Sequence, residues 1–271
     1  MTTEPSPESL AHRQPVGGVS EEERRLRREL AAVYRLLAHF QMTDLIFTHV
    51  SLRIPGPHRH FLINPFGLLF DEVTASSLVK IGIDGRAVEP TPFSVNPAGF
   101  VIHSAIHAAR EDAHCIVHTH TRAGCAVAAQ KDGLLPLNQM SLEFYGQLAY
   151  HDYEGISLDL DEQQRLVRDL GDKPVMILRN HGLLTVGGSP QQAFLRMYYL
   201  EKACQIQVTA QAGGTALVLP PQGVCEHAAR QFNAPYLAAS KGNMPSVTDG
   251  NDLAWSALLR LLDRIDPSYK D

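Results

Sequence analysis

Two short histidine motifs carry the chemistry-bearing residues of this chain. His118-Thr119-His120 closes the apolar run Cys115-Ile116-Val117, and Asn180-His181-Gly182 follows the apolar run Val175 to Leu178. Side chains at i and i+2 of a β-strand leave the same face, so a strand that reaches position 120 projects both imidazoles together. A third histidine at the end of another strand, followed by a glycine, is placed to complete a trio. Three neutral imidazoles that leave coordination positions open describe a catalytic metal site rather than a structural one. Spacing alone keeps a second reading in place, in which the HxH pair is a solvated strand face and His181 a structural strand-end histidine.

The elements that must position these residues follow from periodicity and punctuation. Ser20 and Glu23 form a capping-box pattern, and Leu26, Leu30, Val33, Leu36 and Leu37 recur at helical spacing to about Phe40. Three strand-like runs follow, Ile46 to Arg53, His60 to Asn64 and Leu78 to Ile83, with turn signals after each. The first connection is too short for a helical crossover, so antiparallel pairing is expected. Asn96-Pro97 opens a helix to about Arg110, Cys115 to His120 is a strand, and Arg122 to Gln130 and Glu162 to Leu170 are helices. Leu183 to Val186 continues the strand Val175 to Leu178 or pairs with it. Ser189-Pro190 opens a long helix that ends at Gly213-Gly214, the stretch 214–248 is loop-rich, and Leu253 to Ile265 is a last amphipathic helix carrying Trp255. The expected organisation is a flexible leader over 1–19, one α/β domain over 20–215 and a C-terminal extension over 216–271.

Composition narrows the function classes. Hydrophobic residues are 44% of the 271 and charged residues 20%, enough for a full core and too ordered a balance for general disorder. Lys and Arg number 24 against 29 Asp and Glu, for a net charge of -5, which speaks against nucleic acid or an anionic membrane as partner. No apolar run approaches the roughly 18 residues of a membrane span, and no apolar segment marks a secretory signal. The four cysteines have no CxxC spacing, so reduced thiols in a cytoplasmic protein are expected. GxGxxG, GxxxxGK[ST] and GxSxG are all missing, which leaves nucleotide cradles and a hydrolase elbow without support.

The segments FTHVSLRIP, INPFG, NPAGFVIHSAIHAAR, HTHTRAGCAVAAQKDGLLPL, YHDYEG and ILRNHGLLTVG, in that order, resemble the class II aldolase/adducin family, over about residues 25–215 and closest to its adducin-type branch. The resemblance implies an α/β/α sandwich around a mainly antiparallel sheet. It implies one divalent metal ion held by His118, His120 and His181, and a homotetramer with sites at subunit interfaces. It also marks departures. Gly99 stands where the aldolases carry a catalytic Glu, so the usual proton acceptor is missing. His49 replaces an Asn, and Pro97-Ala98 replaces paired Ser, of the phosphate pocket, which disfavours a phosphorylated sugar. By the same resemblance Tyr145 and Tyr153 are candidates for an acid or a hydrogen-bond donor, and Glu143, the nearest carboxylate in sequence to that stretch, is the candidate to replace the missing base. His151 and Asp152 lie in the same polar stretch, and Asn64, Phe66 and Gly67 form a turn that approaches the substrate. His49, Gly99 and His103 complete the pocket, with His103 and His107 on one helix face and at least one of them a core or interface residue.

Three functions compete. The favoured expectation is an Fe(II)- and O2-dependent oxygenase that oxidatively decarboxylates an arylpyruvate, similar to the branch that shortens 3-prenyl-4-hydroxyphenylpyruvate in aminocoumarin antibiotic biosynthesis. Neutral ligands, an apolar approach and the missing Glu tilt toward it. The second is a zinc-dependent aldolase, decarboxylase or epimerase acting on a sugar-like hydroxycarbonyl. The third is a non-catalytic interaction protein of the adducin kind. In the first two the partner is a small 2-oxo acid or hydroxycarbonyl.

Overall fold

The computed structural model describes residues 18–56, 58–155, 160–233 and 250–271. The expected leader, up to residue 17, and the stretch 234–249 lie outside the described residues.

Helix α1 (Glu21–His39) starts where the sequence places it. Ser20 Oγ accepts from Glu23 N at 3.1 Å, and three glutamates in the first turn suit the helix dipole. The reciprocal half of the capping box does not form. The Glu23 carboxylate turns inward instead, to Arg27 at 2.8 Å and Lys80 at 2.7 Å, because two cations sit buried beside it.

Strands β1 (His49–Arg53), β2 (Phe61–Ile63), β3 (Val79–Ile81), β4 (Cys115–Thr119), β5 (Leu148–His151), β6 (Val175–Leu178) and β7 (Gly182–Gly187) form one sheet in the order β3-β2-β1-β4-β7-β6-β5. All neighbours are antiparallel except β5 and β6. The other helices are α2 (Pro97–Ala109), α3 (Arg122–Ala128), α4 (Gln139–Glu143), α5 (Leu160–Leu170), α6 (Pro190–Ala212), α7 (Gln222–Asn233) and α8 (Gly250–Ile265). The parallel pair β5–β6 is the one that α5 connects, as a parallel pair requires.

The sheet is covered on both sides, which gives the α/β/α sandwich. Val50, Leu52, Cys115, Val117, Val175, Ile177 and Leu183 face α1, α3, α6 and α8. Ile116, Met176, Leu178, Leu184 and Val186 face Ile102 and Ile106 of α2 and Leu166 and Leu170 of α5. Strands buried on both faces read as continuous apolar runs, which is why β4, β6 and β7 are visible in the sequence. Polar residues on that face include His49, Ser51 and His118, and α2 meets His49 and Ser51 with His103 and His107, all buried.

Several boundaries differ from expectation. The first strand starts at His49 rather than Ile46, because Leu45 (φ 49°) and Thr48 (φ 68°) take left-handed backbone that breaks the extended run. Helices α4 and α7 and strand β5 were not anticipated, α7 from within the stretch read as loop. The C-terminal segment is more than an appendage: Trp255, Leu262 and Tyr269 belong to the main core, with the Trp255 ring 6.2 Å from that of Phe194. Among the described residues no helix is long and apolar enough to cross a membrane.

Trp255→Ala removes that contact from the core and is expected to cost about 3 kcal/mol in urea unfolding. A loss below about 1 kcal/mol, within the range of a surface substitution, would show that α8 is not integral to the domain.

Candidate metal centre

The three histidines converge. The register His118↔Leu184 and Thr119↔Leu183 sets the start of β7 beside the end of β4, and the β6–β7 turn carries His181 into that corner. Asn180 makes the turn with φ 55°, a left-handed conformation that asparagine tolerates. A side chain at 182 would meet Thr119 O at 2.3 Å, so glycine is required for the close approach. Thr121 ends β4 at once: its hydroxyl caps α3 by accepting from Gly124 N at 3.2 Å and donates to Glu201. One nitrogen from each of His118, His120 and His181 lies within 4.8 Å of the others, and ring centroids are 4.7–4.8 Å apart.

Hydrogen bonds behind the rings set which nitrogen carries a proton. His118 Nδ1 is 2.9 Å from Leu183 O, and His120 Nδ1 is 3.0 Å from Asp44 Oδ2. A carbonyl and a carboxylate only accept, so both Nδ1 atoms donate and both Nε2 atoms hold a lone pair. Those two Nε2 atoms face each other at 2.9 Å. Two lone pairs at that distance repel, and a positive ion shared between them removes the conflict. A proton is the poorer solution: burial first, and the neighbouring imidazoles second, hold His118 well below the usual histidine range and His181 down to about 4. The donor set therefore fits a divalent cation held by His118, His120 and His181. Asp44 and the Leu183 carbonyl act as the orienting partners that metal-binding histidines ordinarily have. Asp44 was missed in the sequence, where it is one acid in a loop; its only local signal is the left-handed backbone at Gln41, Leu45 and Thr48, which cannot be read from residue types.

The remaining candidates separate. Tyr153 stands beside the trio, its ring 6.4 Å from that of His181 and half exposed. His49 is the Cα partner of His118, with ring centroids 5.0 Å apart. Gly99 lies against His49: a Cβ there would come within 2.5 Å of its ring. His103 does not face the trio but bonds to His49 and Ser51 beneath it, and His107 continues inward as a core residue. Asn64 is tied into the interior, its carboxamide oxygen 2.9 Å from the Tyr34 hydroxyl. Phe66 and Gly67 form a turn beside Phe47, with the Phe47 and Phe66 rings 6.2 Å apart. Of the apolar run there, Leu68 and Phe70 are core while Leu69 is exposed. Glu143 is not brought to the trio within the chain. It lies near Arg196, which donates to Val186 O at the far end of β7, and burial raises its carboxyl to about 7. Tyr145 follows it just after α4, on the same segment. His151 is buried with Nδ1 2.8 Å from Asp169, and Asp152 is exposed.

The family described as Class II Aldolase and Adducin N-terminal domain matches residues 28–208. The chain is 55% identical to an aldolase II superfamily protein from Pseudomonas syringae, over 93% of this chain and 98% of that one, with a TM-score of 0.85. It is 46% identical to alpha-adducin of Rattus norvegicus over 90% of its own length, and spans 34% of that longer protein. It is 27% identical to the L-fuculose 1-phosphate aldolase from Glaciozyma antarctica PI12, over 97% of this chain and 98% of that one, with a TM-score of 0.77.

Acid should destabilise the metal-free protein early. His49, His103, His107, His118 and His181 all have lowered affinity for protons, His107 to about 3, with burial the leading cause in each. The unfolded chain binds protons on these groups from pH 6.5 downward while the fold resists. Stability is therefore full above pH 6.5 and falls toward pH 3–4, by about 1.4 kcal/mol per unit for each such histidine. The raised carboxyls of Glu143 and Glu201 act in the opposite sense but are fewer. A urea midpoint that stays flat from pH 7 to 5 would contradict this.

Proposed function

The chain belongs to the class II aldolase and adducin family, and from that premise we propose that it is a divalent-metal lyase that cleaves or forms a C–C bond beside the carbonyl of a hydroxycarbonyl compound. The observation that carries the reading is the pair of opposed Nε2 lone pairs of His118 and His120, with His181 closing the third side. Three neutral ligands leave room for the substrate, and a bound divalent ion would supply Lewis acidity to polarise its carbonyl. The protein's own part is to hold the His118 and His120 imidazoles in the Nδ1–H tautomer through Leu183 O and Asp44. It also offers the half-exposed Tyr153 hydroxyl as a donor beside His181.

Zinc is the favoured ion, and the likeness to the fuculose-phosphate aldolase supports lyase chemistry over the Fe(II)- and O2-dependent oxygenase. Likeness to adducin keeps the interaction-protein reading as the second one, and the retained trio speaks against it, since assembly alone gives no reason for two histidine lone pairs to face each other. We further propose that the protein works in the cytoplasm, as a homotetramer with the sites near subunit interfaces. Exposed Leu45, Phe47, Leu69 and Tyr153 on the loops around the trio support that placement.

The test is metal analysis after anaerobic purification and zinc reconstitution, followed by assays with L-fuculose, L-fuculose 1-phosphate and 4-hydroxyphenylpyruvate. The expected result is one metal ion per chain and aldehyde release without O2. His118→Ala and His181→Ala are expected to lose the ion and about 100-fold or more of turnover with an unchanged circular dichroism spectrum. O2 uptake matched to arylpyruvate loss would establish the oxygenase instead, and a wild-type protein that binds no metal would establish the non-catalytic reading.

A further inference from the structure

A file of buried hydrogen bonds runs inward from the metal centre between the sheet and α2. His49 Nδ1 lies 2.9 Å from His103 Nε2, and His103 Nδ1 lies 2.6 Å from Ser51 Oγ. Ser51 Oγ is in turn 2.7 Å from His107 Nε2, and His107 Nδ1 is 2.9 Å from Ala113 O. All three imidazoles are buried, which disfavours their charged form, and every partner along the file is a neutral group, so each ring carries one N–H and one lone pair.

The last member sets the direction of the whole file. A carbonyl only accepts, so His107 carries its proton on Nδ1 and accepts at Nε2 from the Ser51 hydroxyl. The Ser51 oxygen then accepts from His103 Nδ1–H, and His103 Nε2 accepts from His49 Nδ1–H. The proton order ends at His49 with a bare Nε2, which takes no hydrogen bond among the described residues. That atom is on the side of Gly99, where a Cβ would come within 2.9 Å of it, and its ring is a direct neighbour of His118. The residue before it, Thr48, pays for this placement with left-handed backbone and a buried hydroxyl that has no partner.

We propose that His49 Nε2 is the atom that accepts the hydroxyl proton of the substrate, with His103, Ser51 and His107 as positioning residues that hold its N–H on Nδ1 and Gly99 as the gap that admits its ring. The assignment of a reaction step rests on the lyase reading above; the order of protons along the file does not. In cleavage of a β-hydroxycarbonyl, the O–H bond breaks and its proton passes to His49 Nε2. The O–H electron pair becomes the new C=O bond of the aldehyde, the C–C bond breaks, and its pair moves into the neighbouring carbonyl as an enolate. The same proton returns from Nε2 to the enolate carbon, which releases the second product and restores neutral His49. No outside oxidant, reductant or acid is consumed.

The test uses the zinc-loaded full chain with 15N-histidine labelling, the His49 resonances being assigned by their loss in His49→Gln. The expected spectrum shows His49 protonated at Nδ1 and bare at Nε2, and Ser51→Ala, which cuts the file, is expected to leave a mixture of tautomers. With L-fuculose and L-fuculose 1-phosphate as probes, His49→Gln is expected to keep one zinc per chain and lose about 100-fold in kcat with KM changed less than about threefold. Ser51→Ala is expected to lose about tenfold in kcat. A protonated Nε2 on His49, an unchanged kcat in His49→Gln, or loss of zinc from that variant would each overturn the proposal. If the wild-type chain cleaves neither probe while His49 shows the bare Nε2, the lyase reading fails and the acceptor role falls with it, while the proton order along the file is upheld.

Discussion

Two imidazole lone pairs held face to face are the constraint on which the rest of this site depends. His118 and His120 are each fixed from behind by a group that can only accept, the Leu183 carbonyl and the Asp44 carboxylate. Neither ring can therefore turn its N–H toward the other, and the 2.9 Å separation of their Nε2 atoms is repulsive until a positive ion enters. Sheet geometry enforces this. The β4–β7 register supplies Leu183 O, the HxH spacing puts both rings on one side, and glycine at 182 lets the two strands come close enough for His181 to join.

The surroundings extend the same logic. Where α2 covers β1, buried polar residues answer one another: His49 and Ser51 from β1, His103 and His107 from α2. A buried polar group costs free energy unless it is hydrogen-bonded, so this file is stable only as a complete set. Completeness also makes it directional, since its inner end is a backbone carbonyl. The outcome is a buried file whose outer ring, His49, packs directly against His118 of the trio.

Much of the fold was legible because both faces of the sheet are covered. Cys115 to Thr119, Val175 to Leu178 and Leu183 to Val186 stand out as apolar runs, and Ser20, Pro97 and Pro190 mark helix starts. The histidine trio was legible for a similar reason, since i,i+2 spacing on a strand is a local rule. What escaped depends on tertiary context. Asp44 becomes an orienting group only through a loop with left-handed residues, and Glu143, adjacent in sequence to the polar stretch, is carried by α4 to the opposite end of β7. Gly99 looked like a loss of function because a glycine cannot move a proton. In the structure it is the space that the His49 ring occupies. The family relationship supports metal-dependent lyase chemistry, and it moves the favoured reading away from the iron oxygenase suggested by the neutral ligands, the missing Glu and the resemblance to one branch of the family.

X-ray absorption spectroscopy at the zinc edge of the reconstituted protein bears most directly on the central claim. The account predicts three imidazole nitrogens at about 2.0–2.1 Å, completed by light-atom ligands from water. A spectrum fitted by fewer than three imidazoles, or by sulfur, would contradict it.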